Sequence, residues 1–212
     1  MNQELHKVFK STLETVPLLK AECPEIEIRF GKLNKENSNN KFDSMLTKEI
    51  FDSLLVIFQS NKNWSHTNVT TSIDYFQGNS RLTYVNNSFY SIKKVKLGAM
   101  DIKHDDESNY DLRLSISTET PQEIKDIDKN TLNMSNYDTI RKKTRFTFHH
   151  KNIWQYDFTV VDINGEIRYE LEIELINPKA CIQMFTINYL CDSLICKVND
   201  IGNMVNCINK KD

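Results

Sequence analysis

The sequence predicts an α+β fold: an antiparallel sheet or barrel of about eight strands, with helices mostly before and after it. Three observations carry that expectation. β-favouring runs split by Asn, Gly and Asp fill the middle of the chain. Helical periodicity falls mostly before and after that run of strands. Neither a repeat nor a linker divides the 212 residues, so 1–212 is expected to be a single domain with a sizeable core.

The elements follow in order. A helix is expected over 2–20, with Leu5, Val8, Phe9, Leu13 and Val16 near helical spacing, broken by Pro17 and Pro24. EIEIRF (25–30) is a strand, and NKENSNNK (34–41) reads as a polar loop. Thr47 caps an amphipathic helix, KEIFDSLLVIFQS, over 48–60. Strands are expected near 64–69, 70–76, 80–85, 89–97, 110–118, 140–149, 153–162 and 167–176. A loop with a short helix fills 120–133, and NGE (164–166) is a tight hairpin turn. After Pro178, residues 180–198 read as a helix apolar most of the way round, with Cys181, Cys191 and Cys196 as buried thiols.

Composition excludes several classes. The formal net charge of −2 signals neither nucleic acid nor membrane by itself. Five scattered cysteines without a C-x-x-C pair argue against a disulfide framework or a zinc site, and for a reducing, cytoplasmic setting. The polar start MNQELHKVFK lacks a signal-peptide core, so secretion is not expected. No apolar run approaches the roughly 18 residues that span a bilayer, so no membrane partner is expected.

The strands themselves are unusual. Alternate side chains of a strand point to opposite faces. Glu25, Glu27 and Arg29 therefore share one face against Ile26, Ile28 and Phe30; Glu170, Glu172 and Glu174 share another against Leu171, Ile173 and Leu175. In IRKKTRFTF, Arg141, Lys143 and Arg145 fall on one face. Arg113 aligns with Ser115, Arg81 with Thr83, Lys94 with Lys96, and Asp157 with Thr159. A sheet with one side in water is the plain explanation for any single strand. A solvated face mixes signs, however, whereas here acids occupy two strands and bases several others. Stacked like charges repel and need compensation.

An antiparallel barrel that closes can bring the first strand to the last, so that the glutamates converge. Crowded carboxylates need a cation, and oxygen-only ligands favour Mg²⁺, Mn²⁺ or Ca²⁺. An enclosed ring of Arg and Lys needs a polyanion, and a chain of phosphates fits it best. A metal and several cations around a phosphate chain are the equipment for hydrolysing a terminal phosphate. A Glu left over from the metal can orient or deprotonate the attacking water.

Together these motifs resemble the triphosphate tunnel metalloenzyme family, in particular its RNA 5′-triphosphatase branch from fungi, protozoa and large DNA viruses. The resemblance runs in order from Glu-x-Glu-x-Arg (Glu25, Glu27, Arg29) through Arg113 and Ser115, Arg141-x-Lys143-x-Arg145, and Asp157 and Thr159 to Glu170-x-Glu172-x-Glu174. It implies a closed eight-stranded antiparallel β-barrel around a hydrophilic tunnel. It also implies a Mg²⁺ or Mn²⁺ cofactor held by Glu25, Glu27 and Glu174, with Glu170 and Glu172 placing water beside Arg113, Lys143 and Arg145. Arg29, Arg81, Lys94, Arg113, Arg141, Lys143 and Arg145 would hold the phosphates, supported by Asp157, Thr159 and Ser115. The implied substrate is 5′-triphosphate RNA, with free NTP also accepted. A guanylyltransferase domain would follow in a larger capping enzyme, and a viral source would place the protein in the viral factory or virion.

Two other functions fit parts of the pattern. A small-molecule enzyme acting on inorganic triphosphate, NTP or thiamine triphosphate needs the same tunnel. A non-catalytic RNA-binding barrel needs the basic strands but leaves the glutamates unexplained, because they repel RNA phosphates.

Overall fold

Each strand that alternates charged and apolar residues must put its apolar face against something, and here that something lies outside the barrel. The computed structural model describes residues 1–15, 22–36, 39–106, 109–123 and 134–210. Its described elements are helix α1 (Asn2–Leu13), strands β1 (Pro24–Glu36) and β2 (Asn39–Asp43), helix α2 (Lys48–Ser60), and strands β3 (His66–Gln77), β4 (Ser80–Val85), β5 (Ser88–Ile102), β6 (Asp111–Gln122), β7 (Thr139–His150), β8 (Trp154–Ile163) and β9 (Glu166–Leu175). Helices α3 (Pro178–Met184) and α4 (Ile187–Asn209) close the list, with a single 3₁₀ turn at Met134–Asn136.

The strand order is β2-β1-β6-β5-β4-β3-β7-β8-β9, and β1 also pairs with β9. That pairing closes eight antiparallel strands into a barrel, with β2 left as a short flap on β1. In the closing pair Glu27 lies opposite Glu174 and Arg29 opposite Glu172. The hairpin between β8 and β9 turns through Asn164 and Gly165, both at positive φ, and the Gly165 N–H donates to Asp162 at 2.8 Å. Gly31 is required by a close approach: a Cβ there would lie 2.1 Å from the Asp43 carbonyl oxygen on β2.

The main core sits between the outer barrel wall and the helices. Ile26, Ile28 and Phe30, with Leu171, Ile173 and Leu175, are buried beneath α1, α2 and α4. Phe58 of α2 packs edge-on to Phe158 and Tyr156 and stacks on Trp64 at 5.0 Å. Thr47 caps α2, its side chain accepting from the Ile50 N–H. Trp154 is fully buried, its indole N–H donating to Ser193 at 2.9 Å.

Several elements differ from expectation. The runs at 64–69 and 70–76 form one continuous strand, because no Gly or Pro separates them. Within the stretch 34–41 read as a loop, residues 34–36 pair with 39–41 as part of β1 and β2. The C-terminal helix is two: Thr186 leaves the helical region and caps α4, accepting from the Tyr189 N–H at 3.2 Å. Cys196 and Cys207 are exposed, whereas Cys181 and Cys191 are buried. The first helix ends at Leu13. Of the loop with a short helix expected over 120–133, residues 120–122 instead extend β6; Val16, Pro17 and residues 124–133 lie outside the described residues. Among the described residues no helix is long and apolar enough to cross a membrane.

Candidate active site

With the apolar faces outward, the charged faces point inward and line one cavity of about 260 Å³. Glu25, Glu27 and Arg29 come from β1, Glu170, Glu172 and Glu174 from β9, and Arg141, Lys143 and Arg145 from β7. Arg81 of β4 and Lys94 of β5 complete the predicted cations there. The wall also carries Asp74, Tyr90 and Glu119, which the sequence reading does not single out. The tunnel thus gathers seven carboxylates and six cations.

Ion pairs organise these groups. Arg29 bridges Glu27 at 3.0 Å and Glu172 at 2.9 Å. Lys94 pairs with Glu25 and lies 3.9 Å from Glu27 and 3.6 Å from Glu119. Arg141 donates to Glu170 at 2.9 Å. Lys143 pairs with the almost fully buried Asp74 at 2.5 Å, and Asp74 also accepts from Thr83 at 2.7 Å. Arg145 donates to Asp157 at 3.0 Å and Thr159 at 3.1 Å. Asp157 accepts from Thr147 and Gln155 as well. Ser117 donates to Glu25 at 2.6 Å, and Ser115 lies opposite Glu27 in the register.

Arg113 is placed elsewhere. It forks onto Asp101 at 2.6 and 2.8 Å and lies over the Phe42 ring. It is absent from the cavity lining. The cause is an irregularity in β5 between Lys96 and Gly98. Beyond it, the inward positions change from even to odd numbers and Asp101 faces Arg113.

The carboxylates divide by environment. Burial, and then the neighbouring Glu172, push Glu27 up to about 7. Burial, and then Glu25 and Asp157, push Glu174 up to about 8. Burial also opposes ionisation of Glu172, but Arg29 and Arg145 outweigh it and hold that carboxyl at about 2. Burial lowers the Lys143 ammonium below the usual lysine range, while Asp74 pulls the other way. Glu27 and Glu174 are therefore facing carboxylates that burial, and then neighbouring carboxylates, keep from ionising together near neutral pH, an oxygen-donor set suited to a divalent ion. Among the described residues no three such side chains are already gathered around a common point. Among the described residues, Nε of Arg29, Arg81 and Arg141 are buried without a hydrogen bond of good geometry, although each guanidinium is ion-paired.

Asp74 and Glu119 were missed for different reasons. Asp74 is a lone acid in an otherwise neutral strand, and only its rarity in that setting signals it. Glu119 lies past the expected end of its strand at 118, on the same face as Ser115 and Ser117.

Comparison with known proteins supplies independent findings. Residues 77–211 match the family described as mRNA capping enzyme, beta chain. Comparison with curated proteins finds no match. The fold is similar to that of the RNA triphosphatase Pct1 of S. pombe, solved in complex with the Spt5 CTD: 19% identity, 95% of this chain and 93% of that one covered, TM-score 0.69. It is also similar to the mimivirus capping enzyme triphosphatase in a monoclinic form, with 17% identity, 95% and 97% covered and a TM-score of 0.60. A triclinic form of the same enzyme gives 16%, 92% and 96%, and 0.58. At such identities the likeness is one of fold, the closed barrel with its flanking helices.

Proposed function

This chain belongs to the mRNA capping enzyme beta-chain family and is an RNA 5′-triphosphatase, and from that premise we propose how its residues divide the work. The enzyme removes the γ-phosphate of 5′-triphosphate RNA, the first step of mRNA capping, and the family depends on a divalent metal. The observation that carries the proposal is the closing pair, which sets Glu27 beside Glu174 in a cavity that also holds six cations.

Glu27 and Glu174, with Glu25, would hold the divalent ion, which we read as Mg²⁺ or Mn²⁺. Bound there, the ion would polarise the γ-phosphate and offset its negative charge. Arg81, Arg141, Lys143 and Arg145 take the phosphate oxygens; their shared place on the cavity wall supports this. Lys94 joins them when it leaves Glu25. Asp157 holds Arg145 in place and Asp74 holds Lys143. Arg29 acts as a strut between Glu27 and Glu172 and keeps the acidic strands in register. Glu172, ionised throughout the physiological range, is too weak a base to take a proton readily. It orients the attacking water as a hydrogen-bond acceptor, with Glu170 beside it. Arg113 takes no part.

The test is release of γ-phosphate from 5′-triphosphate RNA with and without Mg²⁺ or Mn²⁺. Glu27→Ala and Glu174→Ala are expected to lose at least about 100-fold in kcat/KM while keeping the wild-type circular dichroism. Retention of full activity by either variant refutes the metal assignment. Sulfate soaked into crystals is expected beside Lys143 and Arg145. The mimivirus triphosphatase is one domain of a trifunctional capping enzyme. By that analogy residues 1–212 form one domain that a guanylyltransferase domain follows in a longer chain, and the free cysteines suit a cytoplasmic setting.

A further inference from the structure

We infer that Tyr90 is a stacking platform for the first nucleoside of the RNA, set at the tunnel mouth to distinguish RNA from a bare triphosphate. The inference rests on the RNA triphosphatase reading and adds the residue that selects the substrate class. Every cavity-lining side chain except Tyr90 is charged. Tyr90 is 44% exposed although it lines the cavity, and its side chain has neither a ring contact nor a hydrogen bond among the described residues. The adjacent Phe89 is already engaged, against Tyr84 on the outer face at 4.8 Å.

The strand register fixes the position of the ring. Tyr90 lies opposite Thr83, whose hydroxyl reaches Asp74 inside the tunnel, so Tyr90 shares the inner face. It sits near the start of β5, close to the Asn86–Asn87 turn, where the barrel opens. On the same face, four residues on, is Lys94, at roughly 13 Å along the strand. A triphosphate chain with its terminal phosphate among the deep cations leaves its ribose and base near a mouth. There a flat ring without a partner among the described residues offers the contact that the charged wall cannot. Stacking accepts every base, because every base has a π-face. Selection at Tyr90 is therefore blind to sequence, as an enzyme acting on many transcripts requires.

The experiment compares kcat and KM of wild type, Tyr90→Ala and Tyr90→Phe on 5′-triphosphate RNA, ATP and inorganic triphosphate. Tyr90→Ala is expected to raise KM for RNA and ATP roughly ten-fold, whichever base comes first, with kcat little changed. Hydrolysis of inorganic triphosphate should be untouched, and Tyr90→Phe should behave as wild type. An equal loss on all three substrates, or no loss on any, overturns the inference, as does failure of Tyr90→Phe to restore the KM. Wild-type activity on RNA and its abolition by Glu27→Ala test the underlying reading separately. If wild type cleaves inorganic triphosphate but not RNA, that reading fails and the inference with it.

Discussion

At the scale of single residues, the tunnel works by giving one residue type opposite behaviours. Glu172 and Glu174 are two positions apart on one strand, yet one is held at about 2 and the other pushed to about 8. The difference lies in which cations reach them: Arg29 and Arg145 reach Glu172, whereas Glu174 faces mainly other carboxylates. The pair of Lys143 and Asp74 is the clearest place to probe this balance. Asp74→Asn removes the counter-charge from a largely buried ammonium, an unpairing that costs about 3–5 kcal/mol. The variant's Tm should drop accordingly. Its kcat/KM should fall earlier on the alkaline side, because Asp74 is what keeps the burial-lowered pKa of Lys143 from sinking further. An unchanged alkaline limb in a pH–rate profile would show that Lys143 does not act as a cation.

At the scale of elements, period-2 alternation was legible and its interruptions were not. Glu25, Glu27, Arg29, Arg141, Lys143 and Arg145 occupy the shared faces that their spacing requires. Arg113 obeys the same alternation but is drawn to Asp101 by the irregularity after Lys96, and no residue before that point announces it. Thr47 marked the start of α2 because a capping side chain is a local signal. The break at Thr186 was hidden by apolar residues that continue on both sides. Gly31 is another feature invisible in a linear reading, since its need comes from Asp43 on a neighbouring strand. Gly31→Ala should detach β2 from β1 and lower stability by about 1–3 kcal/mol, read as a lower urea midpoint with m nearly constant. Thr47→Ala should cost about 1 kcal/mol by the same measurement.

At the scale of the whole molecule, the tunnel works against the stability of the metal-free protein. Glu27 and Glu174 have folded pKa values of about 7 and about 8, above the 4.5 of the unfolded chain. Between those limits the folded protein holds protons that the unfolded chain has released, so stability falls as pH rises. Glu172 titrates far below this window and contributes no slope within it. Without metal, Tm should therefore decline from about pH 5.5 to about 8.5. Mn²⁺ should replace the protons and offset the decline, with a stabilisation that grows with pH. Calorimetry in buffers of different ionisation enthalpy should detect proton release on metal binding. A flat Tm across that range, or a metal effect independent of pH, would contradict the proton-for-metal exchange.

The pairing of β1 with β9 has a kinetic meaning as well. It joins Glu27 to Glu174, 147 positions apart (174 − 27), whereas the hairpins β3–β4, β7–β8 and β8–β9 join neighbours in the chain. A contact between such distant segments meets a large entropic barrier and forms slowly. A nascent or refolding chain can therefore hold most of its secondary structure and its helical coat while the ring is still open. Until the seam joins, the acids of the first strand and those of the last are strangers, so in a refolding experiment phosphatase activity is expected to return after the far-ultraviolet circular dichroism has recovered.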